Sequence, residues 1–264
     1  MPTAPINGVD LYYETCGSGP PLLLIAGLAS DSQSWLPVFD GLAQRFAVIA
    51  PDNRGMGRTQ PADVETSVES IAADCMQLIE RLGLDSVDVV GHSMGGFVAQ
   101  VCAAQRPECV RRMVLAATGL VNSARNNWLL ADLATLLEAD TARDLWFRNL
   151  FYWLFSRRFF EDRAAVDAAV KMAVEYPYPP SKTAFARQVT AIAEYDGRSF
   201  APLIRAKTLV LAGKEDLLFD VDTCTALARA IPDGQIVVLG GVAHSIHMEN
   251  ARTFTDCIVQ FLSR

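Results

Sequence analysis

Histidine is scarce in this chain: its 264 residues include three, His92, His244 and His247. Histidine is the usual proton acceptor at neutral pH, so any mechanism that needs such a base must draw it from these positions. Other absences narrow the field. The net charge is -7 and no basic stripe is visible, which excludes a general binder of phosphate backbones. No uninterrupted apolar stretch approaches the roughly 20 residues of a membrane-spanning helix, and Met1-Pro2-Thr3-Ala4-Pro5-Ile6-Asn7 has neither the charged start nor the apolar run of a signal peptide. The expectation is a cytoplasmic protein with neither nucleic acid nor membrane as a partner. Cys16, Cys75, Cys102, Cys109, Cys224 and Cys257 form no C-x-x-C pair and no Cys/His cluster, so neither a zinc site nor a disulfide framework is signalled.

What is present is strand and helix in alternation. Val9–Glu14 reads as one arm of an opening hairpin, while Pro21–Ala26 and Phe46–Ala50 are short continuous apolar runs, the pattern of strands buried on both faces of a mostly parallel sheet. Val68 to Leu82 carries apolar residues at helical spacing, and Gly83 follows where a helix stop belongs. Val87–Val90, Arg112–Ala117, Thr208–Ala212 and Gln235–Leu239 continue as strands, with a helix over Gly95–Gln105. The alternation predicts an α/β layer with parallel strands.

Between Gly119 and Ile204 the strand signals stop. The segment holds 14 of the 23 aromatic residues, and its ten Lys/Arg balance its ten Asp/Glu, so the surplus of negative charge belongs to the flanks. It reads as an inserted helical cap, residues 119–204, with residues 1–118 and 205–264 forming the α/β core.

The segment richest in chemistry is Gly91-His92-Ser93-Met94-Gly95-Gly96, set between a strand and a helix. A serine on a sharp strand-to-helix turn needs small neighbours two residues to either side, because a Cβ there would strike the adjoining backbone; Gly91 and Gly95 meet that need. The helix N-terminus that follows offers free N–H groups to a developing oxyanion.

On this segment the chain resembles the α/β-hydrolase superfamily, from about Ile6 to Leu262. Two later segments carry the likeness: Gly213-Lys214-Glu215-Asp216 after one strand, and Gly240-Gly241-Val242-Ala243-His244 after the last. The resemblance implies an eight-stranded, mostly parallel sheet flanked by helices, with Ser93 as nucleophile, Asp216 as the acid and His244 as the base; Glu215 is the alternative acid. In that scheme His244 takes the Ser93 proton and Asp216 fixes the imidazole tautomer, without a metal or cofactor. The resemblance also implies oxyanion donors from the backbone N–H groups of Met94 and Leu28. Here Ala26-Gly27-Leu28 departs from the common His-Gly-x, removing a side chain that supports the loop. Pro51-Asp52-Asn53-Arg54-Gly55-Met56-Gly57 matches a segment whose Asp and Arg are structural, and without a Gly-Lys-Ser/Thr ending it is no phosphate loop.

His92 is read as structural. His247 is read as lining the pocket, together with Gly27, Trp128, Trp146 and Trp153. The chain looks most like small catabolic hydrolases such as 3-oxoadipate enol-lactonases and aminoacrylate-type hydrolases, supported by Asn7-Gly8-Val9-Asp10-Leu11-Tyr12-Tyr13-Glu14 and Trp35-Leu36-Pro37. The expected reaction is cleavage of a small ester, lactone or related acyl bond by a monomer or homodimer. Were the substrate a carboxylate, Arg125, Arg148 or Arg187 could bind it. A small-molecule sensor, a carbon–carbon bond hydrolase and a cofactor-free peroxidase or oxygenase are the alternatives, since the selecting groups lie in the cap.

Overall fold

The computed structural model describes residues 2–263. Eight strands, β1 (Thr3–Ile6), β2 (Val9–Cys16), β3 (Pro21–Ile25), β4 (Ala47–Pro51), β5 (Val87–His92), β6 (Val110–Ala116), β7 (Lys207–Gly213) and β8 (Gly234–Leu239), form one sheet in the order β1-β2-β4-β3-β5-β6-β7-β8. The opening hairpin β1–β2 is antiparallel, as is β2–β4; every later pairing is parallel.

Side chains of a strand alternate between faces, and the continuous apolar runs therefore feed two separate cores. Leu22, Leu24, Val48, Val90, Val114 and Leu211 face a layer formed with α1 (Leu36–Ala43) and the C-terminal helix. Leu23, Ile25, Ile49, Val89, Leu115 and Val210 face α2 (Val68–Arg81) and α3 (Met94–Gln105). Leu22 to Ile25 are fully buried, and each such side chain contributes about 1.5–3 kcal/mol of burial free energy. Helix α2 begins at a reciprocal Ser67/Ser70 capping box and stops before Gly83 at φ +70°, a left-handed position that suits glycine.

The stretch between β6 and β7 contains no strand. It holds α4 (Ala124–Glu138), α5 (Arg143–Leu154), α6 (Arg163–Val174) and α7 (Lys182–Glu194). Its two ends are tied together: Val121 and Asp196 form an isolated antiparallel bridge, and the Gly197 N–H donates to Leu120 O at 2.7 Å. Much of its aromatic run packs internally, with Phe151, Val166 and Val170 as a small core of their own. After β7 come α8 (Val221–Ala230), and after β8 the short α9 (Ile246–Glu249) and α10 (Ala251–Leu262). Among the described residues no helix is long and apolar enough to cross a membrane. The turns that follow β3, β5, β7 and β8 all lie at the carboxyl edge of the parallel strands, where open α/β sheets gather their ligands.

Candidate active site

Ser93 sits at the tip of the β5–α3 turn with φ 54° and ψ -120°. A non-glycine residue in that region stores about 1–3 kcal/mol of strain, which the surroundings must hold in place. They do so closely. A Cβ on Gly91 would stand 2.3 Å from Gly95 O, and one on Gly95 would stand 2.0 Å from Ile25 O, so neither position admits a side chain. The Ser93 N–H donates to Ala116 O at 2.9 Å, and Ser93 O accepts from the Gly96 N–H at 2.8 Å. Met94 opens α3, so its N–H has no carbonyl one turn earlier within that helix.

The loops after β7 and β8 bring Asp216 and His244 together, 5% and 2% exposed. His244 Nδ1 lies 3.0 Å from Asp216 Oδ2. Asp216 Oδ1 accepts the N–H groups of Leu218 at 2.8 Å and Phe219 at 3.0 Å, which keeps it an acceptor and assigns the shared proton to His244 Nδ1. His244 Nε2 is thereby left as the basic nitrogen. Glu215 turns elsewhere, accepting the Arg157 N–H at 3.1 Å with its guanidinium 3.8 Å away; it is not the partner of His244.

His92 directly precedes Ser93 and packs on His244. Its Nε2 donates to the His244 backbone carbonyl at 2.9 Å, and the two rings are 4.9 Å apart. His247 packs 4.5 Å from His92 and 4.9 Å from Trp35, with its Nδ1 buried and unpartnered. Burial, reinforced by the neighbouring imidazoles, drives His92 well below the ordinary histidine range and His247 down to about 3. Both are neutral near pH 7.

A model of the α/β hydrolase fold family matches residues 20–251. The chain belongs to the α/β-hydrolase fold family. A RutD protein of Azorhizobium caulinodans, provisionally named a carbamate hydrolase, is 29% identical over 99% of this chain and 98% of its own. The enol-lactonase of Burkholderia xenovorans LB400 superposes with a TM-score of 0.89 at 25% identity, covering all of both chains. A thermophilic esterase from Thermogutta terrifontis follows at 0.85 and 27%, covering 99% of this chain and 96% of that one.

In this α/β-hydrolase the loop after β3 approaches the serine from the opposite side: a Cβ built on Gly27 would lie 3.2 Å from Ser93 Cβ and 3.3 Å from His92 Nδ1. Among the described residues no acceptor engages the Leu28 N–H. Two side chains support this loop. Asn53 Nδ2 donates to Ala26 O at 3.1 Å, and Gln188 Oε1 on α7 accepts the Ala29 N–H at 2.9 Å. Asn53 belongs to the segment that also supplies the buried Arg54–Asp74 pair, 2.7 Å at each of two contacts. Arg54 is therefore structural, tying this segment to α2.

The expected pocket residues separate. Gly27 lies beside Ser93, as above. Trp128 is 74% exposed, pointing from α4 into solvent. Trp146 is core: 4% exposed, it donates Nε1–H to Leu133 O at 2.8 Å and packs on Phe185. His247, in α9, is 2% exposed and enclosed by the rings of Trp35, His92 and Phe254. Trp153 joins Leu145, Arg148, Asn149, Tyr152 and Leu217 around a surface cavity of about 450 Å³. Each candidate arginine already has a partner: Arg148 pairs with Asp167 at 2.7 Å, Arg187 with Glu65 at 2.8 Å, and Arg125 donates to Leu217 O while lying over the Trp153 ring.

Sequence reasoning passed over two residues. Glu249 accepts from the Ala243 N–H at 2.7 Å with one oxygen and from Ser156 N–H and Oγ–H, at 2.9 and 2.6 Å, with the other. It joins the His244 loop to the end of α5. Nothing in the linear sequence names these partners. Gln188 has no linear signal at all.

Proposed function

We propose that this α/β-hydrolase cleaves a small ester, lactone or related acyl bond by nucleophilic catalysis at Ser93, with His244 as general base and Asp216 as its orienting acid. What carries the proposal is the buried His244–Asp216 contact of 3.0 Å at the sheet edge that also holds Ser93 at φ 54°. The other two imidazoles near this edge, His92 and His247, are enclosed and are weak bases, because burial lowers both pKa values.

The steps follow from the residue types. Ser93 Oγ attacks the carbonyl carbon while its proton passes to His244 Nε2; Asp216 stabilises the resulting imidazolium through Nδ1–H. The oxyanion takes hydrogen bonds from the Met94 and Leu28 N–H groups, and one such donor is worth about 10²–10³ in rate. Collapse breaks the bond to the leaving oxygen, which takes the proton from His244; in a lactone that oxygen stays tethered to the acyl group. His244 then deprotonates water, the hydroxide releases the acid, and the proton returns to Ser93.

The inserted segment 119–204 serves in this scheme as the cap over the site. A cytoplasmic setting is part of the proposal, supported by six cysteines of which none is paired. The test is turnover across activated esters, lactones and carbamates, the last included because the RutD relative carries that name. Hydrolysis that disappears in Ser93→Ala is the expected result, and turnover equal in both proteins overturns the assignment.

A further inference from the structure

Resting on the acyl-transfer reading above, we propose that Gln188 is the positioning residue of the oxyanion loop and the substrate's second hydrogen-bond donor: one amide, with its oxygen fixing the loop and its nitrogen reading an oxygen atom of the substrate.

Two observations converge on this side chain. Gln188 is fully buried on α7, and its Oε1 accepts the N–H of Ala29, the residue directly after Leu28. Ala29 has φ +56°, a left-handed conformation that costs an alanine free energy and must be held by its neighbours. The Gln188 contact holds it, and so sets the direction in which the preceding peptide presents the Leu28 N–H. Asn53 secures the first carbonyl of the loop and Gln188 the last peptide, from a helix on the other side of the site.

The second observation is the other half of the amide. Gln188 Nε2 is buried and has no acceptor among the described residues. A buried unsatisfied donor is costly, and its persistence calls for a partner that arrives with the ligand. Since Oε1 is anchored at Ala29, Nε2 lies one amide width from the loop that faces Ser93. The donor is uncharged; Arg148 is paired with Asp167, and the neighbouring Arg187 pairs with Glu65 through Nη2 while its Nη1 is buried without an acceptor among the described residues. The substrate class this donor selects is an acyl compound with a second oxygen acceptor, such as an oxo, alkoxy or hydroxy group, close to the scissile carbonyl.

The experiment compares two activated esters that differ at one atom, an ether oxygen against its methylene isostere beside the carbonyl, in the wild type and in Gln188→Met. A site built to hydrogen-bond an oxygen rejects the analogue without it, so the wild type favours the ether ester by about tenfold or more in kcat/KM after correction for the intrinsic reactivity of each ester. In Gln188→Met, kcat falls about tenfold to a hundredfold on both esters as the loop loses its brace, and the preference between them disappears. A variant that keeps wild-type kcat, or keeps the preference, overturns the proposal. The wild-type comparison stands without any variant: equal corrected kcat/KM on the two esters overturns it even if Gln188→Met fails to fold. A wild type that hydrolyses neither ester, nor any lactone or carbamate, refutes the acyl-transfer reading itself, whereas an active enzyme indifferent to the oxygen refutes only the role of Gln188.

Discussion

His92 Nε2 donates a hydrogen bond to the main-chain carbonyl of His244 across 152 positions of sequence. The residue before Ser93 thus holds the backbone of His244, and its neutral tautomer, with the proton on Nε2, is the one that can donate. In the proposed mechanism this contact links the Ser93 turn to the His244 loop through main chain.

Replacing His92 with Phe keeps an aromatic ring but leaves the buried His244 carbonyl without this donor, a loss of about 1–3 kcal/mol in stability. Urea unfolding measures it. His92→Gln, which restores a donor, recovers part of both stability and kcat; equal behaviour of the two variants would show that the hydrogen bond is without consequence.

Ser93→Gly separates function from strain. Glycine adopts the φ of 54° without a Cβ penalty, so the variant melts at a higher temperature than Ser93→Ala while both lack turnover. The expected gain is about 1 kcal/mol, read from the difference in melting temperature.

Asp216→Asn changes the tautomer that His244 presents, because an amide in that position can donate toward Nδ1. A fall of about 10⁴ in kcat with little change in KM is expected. Glu215→Gln, which alters a residue paired with Arg157, leaves kcat within a few-fold of wild type. Reversal of that order would move the acid to Glu215.

Acid sensitivity follows from His247. Its folded pKa of about 3, set first by burial and then by His244, lies below the unfolded value of about 6.5. Above pH 6.5 both states are neutral there and the stability is fully present. As pH falls from 6.5 toward 3 the unfolded chain binds a proton that the folded one refuses, and stability drops by about 1.4 kcal/mol per pH unit. Burial raises Asp31 above the usual carboxylate range, an effect of opposite sign, but it is common to wild type and His247→Gln and cancels in their difference. Urea midpoints between pH 7 and 4.5 should decline less steeply in the variant; parallel slopes contradict the assignment.

Much of this molecule was legible in one dimension. The continuous apolar runs at Pro21–Ala26 and Phe46–Ala50 read as strands buried on both faces, and the period of Val68–Leu82 as a helix that buries one side. The glycines around Ser93 announced a turn whose backbone contacts exclude side chains. These features are local: each follows from the few residues that form it, by sterics and by the spacing of apolar groups.

Partnership across the chain was not legible. Sequence order nominated Ser93, Asp216 and His244 and left Glu215 open; only the path of the β7 loop turns Asp216 to the imidazole and Glu215 to Arg157. His247 was read as facing a pocket and Trp146 as lining one, yet helical rotation and packing enclose both. Gln188 shows the limit most plainly. Nothing about a glutamine within Lys182–Glu194 marks it, because its importance comes from Ala29, 159 positions away. By itself the sequence determined the elements and the chemical types available; tertiary structure decided which donor meets which acceptor, because hydrogen bonding and burial depend on distance in space, which the chain order does not encode.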